Sequence, residues 1–209
     1  MTDRKSLGVR EGGAGVLGKI RAAVAAGVDW VQIREKDLSG RELLALAREA
    51  VAVRGSTRVL VNDRLDVALA AGAAGVHLGH ESLHARDVVR WCRRGNAPAD
   101  FLIGVSCHSL QEAREAESAG ASYIFFGPVF DTPSKRAMGE PQGVARLGEI
   151  CGGVTISVLA IGGVNEENAE DCVRAGAAGI AAIRMFQDGR DIEALKDAVE
   201  RLHASITTR

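Results

Sequence analysis

Aromatic residues make up only 4% of this 209-residue chain, against 46% hydrophobic residues overall and 25 glycines. Its core must therefore be built from small aliphatic side chains, in tightly packed helices and short strands joined by many turns, as in α/β folds. No apolar stretch approaches the ~20 residues needed to span a bilayer. Met1-Thr2-Asp3-Arg4-Lys5 is not followed by the apolar region of an export signal. The expectation is a soluble, cytoplasmic protein with no membrane partner. A formal net charge of −1 leaves no electrostatic footprint for nucleic acid, so any anion site has to come from local clustering. The four cysteines, Cys92, Cys107, Cys151 and Cys172, lack CxxC or Cys/His metal spacing and lie in or beside apolar or helical runs. They read as reduced structural thiols. GxSxG, HExxH and a paired Ser/His/Asp spacing are missing as well, which disfavours covalent hydrolase chemistry.

What the chain does have is a beat. Ala26-Gly27, Ala71-Gly72, Ala119-Gly120 and Ala175-Gly176 each close a helical pattern and precede an apolar run by two or three residues. Glycine there can take the left-handed conformation that terminates a helix before a strand begins. Strands are expected near 28–34, 58–62, 75–79, 101–106, 121–127, 156–162 and 178–183. Helices are expected near 14–26, 40–54, 64–72, 84–95, 109–120, 142–151, 165–176 and 191–204. Near-continuous apolar strands separated by helices imply parallel pairing with both sheet faces covered. The series falls one strand short of a (β/α)8 TIM barrel, and residues 1–4 have room only for the end of the first strand. Either that strand is truncated or stunted, or a segment precedes Met1. A length of 209 residues, with no linker or low-complexity run, suggests one barrel domain over 1–209.

Polar groups recur just after these strands, on the face where α/β enzymes place their sites. Gln32, Arg34 and Lys36 alternate at period two and so project to one side, where a planar guanidinium and a point-charge ammonium suit a diphosphate. Asn62-Asp63-Arg64 is open to two compatible readings: a helix cap, and a hard oxygen ligand for Mg²⁺ from Asp63. Thr132-Pro133-Ser134-Lys135 lies in a long connection of the kind that is commonly functional, with hydroxyls and an ammonium suited to phosphate. Ile161-Gly162-Gly163 precedes a helix where bare backbone N–H groups can approach phosphate, with Ile183-Arg184 at the last strand end. His77 and His108 fall near the same face, whereas His84 and His203 look helical and exposed.

Taken in order, the segments QIREK, NDR, GVHLG, GVSCHS, FGPVFDTPSK and AIGGV resemble the thiamine phosphate synthase family over roughly residues 1–187. That resemblance implies a (β/α)8 barrel transferase of thiamine biosynthesis. It would join a hydroxymethylpyrimidine diphosphate to a hydroxyethylthiazole phosphate with Mg²⁺ as cofactor, releasing pyrophosphate. It assigns Gln32, Arg34, Lys36, Asn62, Ser106 and Lys135 to the pyrimidine diphosphate, with Arg34, Lys36, Ser106 and Lys135 as the catalytic set. Thr132, Pro133, Ser134, Gly163 and Ile183 would hold the thiazole phosphate, and Asp63 the metal. Small-molecule substrates are the implied partners, and assembly into a homo-oligomer stays open.

The chain departs from the family pattern in three places. The second metal carboxylate falls on Ser82, with Glu81 just before it and His80 in place of the usual Gln. The usual Ser of the last phosphate pocket is Arg184, which can still donate to phosphate. The first strand is largely absent. A thiazole tautomerase sharing this fold is the nearest rival, favoured by Ser82. Pro128 counts against it, because it stands where that branch carries its distinctive His. A non-catalytic protein binding thiamine precursors is a third reading.

Overall fold

In the computed structural model, which describes residues 1–7, 12–132, 140–187 and 192–207, the alanine–glycine repeat ends helices as expected. Helices α1 (Gly12–Ala25), α3 (Leu65–Ala71), α5 (Leu110–Ala119) and α7 (Ala169–Arg174) are followed within two residues by Gly27, Gly72, Gly120 and Gly176. All four glycines have positive φ. At Gly72 and Gly120 the backbone N–H turns back onto carbonyls of the last helical turn, closing the helix in a conformation that costs glycine nothing.

The strands are β1 (Trp30–Ile33), β2 (Arg58–Asn62), β3 (Gly75–Leu78), β4 (Leu102–Cys107), β5 (Tyr123–Phe126), β6 (Ser157–Ile161) and β7 (Gly179–Ala181), in sequence order through the sheet. Pairs β1·β2, β2·β3, β4·β5, β5·β6 and β6·β7 are parallel. The remaining helices are α2 (Gly40–Val53), α4 (Ala85–Trp91), α6 (Gly143–Gly153), α8 (Arg184–Gln187) and α9 (Ile192–Thr207). A 3-10 turn spans Arg4–Leu7, and a π turn spans Cys92–Asn96.

The chain divides into two compact units. The first comprises Met1–His77, Ala97–Leu102 and Ile183–Glu200, and the second Leu78–Asn96, Ile103–Ala182 and Arg201–Arg209. In the first, Val31, Val59, Val61 and Val76 fill the strands, and α2 packs Leu43, Leu46, Ala47 and Ala50 inward. Helix α2 begins where it does because Ser39 and Glu42 form a reciprocal capping box that satisfies two otherwise orphaned backbone donors. Gly75 has to be glycine, since a Cβ there would collide with the carbonyl oxygen of Leu102.

In the second unit, Ile124, Phe126, Leu147, Ile150 and Val158 form one buried cluster. Each such side chain contributes about 1.5–3 kcal/mol on burial. An exposed pair such as Arg90–Asp87 on α4 is worth ~0–1 kcal/mol. Apolar burial therefore holds the unit. Cys107 and Cys172 are buried, with burial pushing their thiols up to about 12 and about 11, and none of the four cysteines is in a disulfide, as expected of structural thiols.

The first strand is reduced as expected, and two other expectations need correction. No strand forms in residues 1–4: Thr2 donates one ladder-like bond to the Gln32 carbonyl, at 2.8 Å, before the chain turns at Arg4. The last strand stops at Ala181, so Arg184 opens α8 rather than ending a strand. The helix expected from 165 begins at Ala169, because Asn165 and Asn168 spend their side chains on a turn.

Candidate active site

In the first unit the end of β1 carries a buried amide pair. Gln32 is 4% exposed, and its Nε2 donates to Asn62 Oδ1 at 3.0 Å across the β1·β2 pairing. Gln32 Oε1 is buried without a hydrogen-bond partner among the described residues. An orphaned buried acceptor costs about 1–3 kcal/mol, so the group is oriented at an energetic loss in the protein alone. Asn62 lies opposite His77 in the β2·β3 register. His77 is 1% exposed, and burial, aided by the Arg34 charge, pulls its pKa down to about 3. The imidazole is therefore neutral, and Arg34 is near enough to be felt. Gln32, Arg34, Asn62 and His77 thus come together.

Lys36 does not follow the period-two rule. Strand β1 ends at Ile33 and Lys36 sits in an exposed turn, so alternation does not carry its side chain to the side of Gln32. Between Arg34 and Lys36, Glu35 is buried, and burial raises its pKa despite hydrogen bonds from Thr2 and the Arg4 backbone.

Asp63 has φ of +67°, the one described non-glycine residue with positive φ, and its N–H donates to the His77 carbonyl. The helix-cap reading of Asn62 and Asp63 fails: the N-cap of α3 is Arg64, no side chain caps it, and Arg64 instead grips Asp66. Among the described residues no group of three or more His, Cys, Asp and Glu is placed to hold a metal ion. In the second unit Ser82 Oγ accepts from the Gly79 N–H at 2.8 Å, so it closes a turn, while Glu81 is exposed. Asp63 offers one hard carboxylate, the type of ligand that Mg²⁺ takes.

The second unit presents the remaining residues. Ser106 is half-buried on β4, in register with Phe125. His108 follows that strand, and its Nδ1 lies 2.5 Å from the Gly127 carbonyl oxygen. A carbonyl only accepts, so Nδ1 carries the proton. Val129 and Phe130 donate to the carbonyls of Ile161 and Gly162, which ties the start of the long connection to the end of β6. Gly162 and Gly163 have φ of +91° and +68°, and a Cβ on Gly163 would stand 2.6 Å from the Asp131 carbonyl oxygen. Asn168 Nδ2 donates to the Gly163 carbonyl. Thr132 is half-buried, whereas Pro133, Ser134 and Lys135 lie outside the described residues. Ile183 and Arg184 belong to the first unit, Ile183 half-buried and Arg184 exposed.

Sequence reasoning passed over Glu35, the proton on His108 and the Asn165–Asn168 turn. A carboxylate inside a strand-end run was the visible signal for Glu35, and Asn-x-x-Asn after the glycines was the signal for the turn.

A fold of parallel strands whose carboxyl ends carry Gln32, Arg34, Asn62, Asp63, Ser106 and Gly163 is that of an α/β-barrel type enzyme. The family model described as thiamine monophosphate synthase matches residues 7–186. A thiamine-phosphate synthase of Roseiflexus sp. (strain RS-1) is 38% identical over 210 residues, covering 100% of this chain and 84% of the relative. One of Clostridium novyi (strain NT) is 38% identical over 195 residues, covering 92% and 91%. The solved thiamine phosphate pyrophosphorylase from Pyrococcus furiosus matches with a TM-score of 0.82 and 31% identity, over 99% of this chain and 93% of that one. The chain belongs to the thiamine monophosphate synthase family, with the α/β fold of the (β/α)8 class expected from its strand series. No helix among the described residues is long and apolar enough to cross a membrane.

Proposed function

We propose that the protein joins 4-amino-2-methyl-5-hydroxymethylpyrimidine diphosphate to 4-methyl-5-hydroxyethylthiazole phosphate in the cytoplasm, giving thiamine phosphate and pyrophosphate. The observation that carries this is the buried Gln32 amide, which is held by Asn62 and has no donor to its Oε1 among the described residues. An aminopyrimidine supplies such a donor and recovers the cost of the orphaned acceptor.

The chemistry asks for no protein nucleophile. The C–O bond between the pyrimidine methylene and the diphosphate breaks first, the electron pair leaving with pyrophosphate. The thiazole nitrogen then donates its lone pair to the resulting carbocation. Arg34, Lys36, Ser106 and Lys135 bind the departing anion, the guanidinium in a fork and the ammonium groups as point charges. Thr132, Pro133, Ser134, Gly163, Ile183 and Arg184 orient the thiazole phosphate, making the second step effectively unimolecular. Asp63 would hold Mg²⁺, which when bound neutralises diphosphate charge. Ser82 keeps its oxygen on the Gly79 turn, and Glu81 is the carboxylate nearest in sequence to replace the family's second ligand.

Purified protein given both substrates and Mg²⁺ is expected to release pyrophosphate and form thiamine phosphate in equal amounts. Lys135→Ala is expected to weaken use of the pyrimidine diphosphate in the same assay. Ser82 favours a second reading, a thiazole tautomerase of this fold. Isomerisation of the thiazole substrate without pyrophosphate release establishes that reading and overturns the first.

A further inference from the structure

Residues 2–4 and 32–37 are stitched together by a set of bonds that the condensation chemistry does not itself require. Thr2 is 6% exposed and Glu35 5%. The Thr2 N–H donates to the Gln32 carbonyl at 2.8 Å, and the Arg34 N–H donates to Thr2 Oγ1 at 3.0 Å. The Thr2 hydroxyl favours the charged form of the Glu35 carboxylate, whose Oε2 accepts from the Arg4 N–H at 3.0 Å and whose Oε1 is buried with no hydrogen-bond partner among the described residues. Arg4 grips Asp37 through Nε and Nη2, at 3.3 and 2.7 Å. Burying a carboxylate is costly unless donors hold it, and here the bond that holds Glu35 comes from Arg4, in the same short segment as Thr2.

Strand β1 ends at Ile33, so the ladder with β2 does not extend to Arg34, Glu35 and Lys36. The bonds to Thr2 and Arg4 fix that stretch of backbone instead. We propose that Thr2 and Glu35 are positioning residues: the Thr2 hydroxyl and the buried Glu35 carboxylate form a latch that sets the backbone of residues 34–36 and so aims Arg34 and Lys36 at the diphosphate. The inference rests on the proposed role of those two cations. Preorganised donors stabilise an anion far better than donors that must be ordered on binding. The latch therefore acts on the diphosphate substrate and leaves the thiazole phosphate untouched.

The test compares Thr2→Val, which removes the hydroxyl at nearly constant volume, with Thr2→Ser, which keeps it, and with Glu35→Gln. For each, KM for both substrates, kcat, thermal midpoint and calorimetric binding of inorganic pyrophosphate with Mg²⁺ are measured. Thr2→Val and Glu35→Gln are expected to lower kcat/KM for the pyrimidine diphosphate about tenfold and weaken pyrophosphate binding to match. KM for the thiazole phosphate should stay unchanged, and Thr2→Ser should match the parent. Parental kinetics in Thr2→Val, or equal losses toward both substrates in step with a lowered thermal midpoint, overturn the latch. Arg34→Ala and Lys36→Ala test the underlying role separately: unaltered pyrophosphate binding in both removes that role while leaving the Thr2 and Glu35 results to be read on their own. If Glu35→Gln does not fold, the Thr2 pair alone decides.

Discussion

The Gln32 side chain donates to Asn62 Oδ1 at 3.0 Å, so one amide sets the orientation of the other across two adjacent strands. Asn62→Ala strands the buried Gln32 donor. A loss of about 1–3 kcal/mol in folding free energy is expected, read as a lower urea midpoint at constant slope. An unchanged midpoint would mean that the pair contributes nothing to the fold.

His77 sets a pH dependence whose sign follows from its depressed pKa. Its ordinary value is 6.5, and in the folded protein it falls to about 3. Between those values the unfolded chain binds a proton that the native state refuses. The contribution of His77 is complete above pH 6.5 and drains away as pH falls toward 3, at up to about 1.4 kcal/mol per pH unit. Urea midpoints at pH 7 and pH 5 should differ more in the parent than in His77→Gln. Equal differences would place the acid sensitivity elsewhere.

Gly163→Ala tests the glycine turn after β6. A Cβ there meets backbone atoms of Phe130 and Asp131, at 2.8 and 2.6 Å, and φ of +68° adds about 1–2 kcal/mol of strain for alanine. The expected result is a lower thermal midpoint together with a raised KM for the thiazole phosphate. An alanine variant with parental values would show that the turn relaxes freely and does not shape a phosphate site.

Ser82→Asp restores the carboxylate that the family pattern places at this position. An aspartate can still accept from the Gly79 N–H, as Ser82 does, so the local turn should survive. Apparent Mg²⁺ affinity, measured as the concentration giving half-maximal pyrophosphate release, should tighten. A flat response would place the ion out of reach of residue 82.

Much of the fold was legible because periodic apolar runs and helix-ending glycines are local signals. Strand β2 forms over the expected 58–62, and the four glycines after α1, α3, α5 and α7 end helices as the repeat implied. Strand β4 is shifted by one residue from the expected 101–106, and the remaining strands are shorter than their apolar runs, since hydrophobicity extends into buried loop ends that no ladder bond reaches. The cations and amides of the candidate site were legible as residue types after strands. Their partners were not, because a bond such as Thr2 to Gln32 or His108 to Gly127 depends on parallel register and connection geometry, which adjacent sequence does not encode. Lys36 and Arg184 show the same limit: each was placed by extending a strand past its real end.

The backbone of Asp63 has one more implication. A φ of +67° is comfortable for glycine and awkward for aspartate, so selection for sturdiness alone would favour the smaller residue. Asp63→Gly should make the protein tougher and, if the carboxylate serves catalysis, idle. With the carboxylate in that role, durability and turnover pull in opposite directions at this position, and screens for heat-resistant variants should return inactive ones altered there.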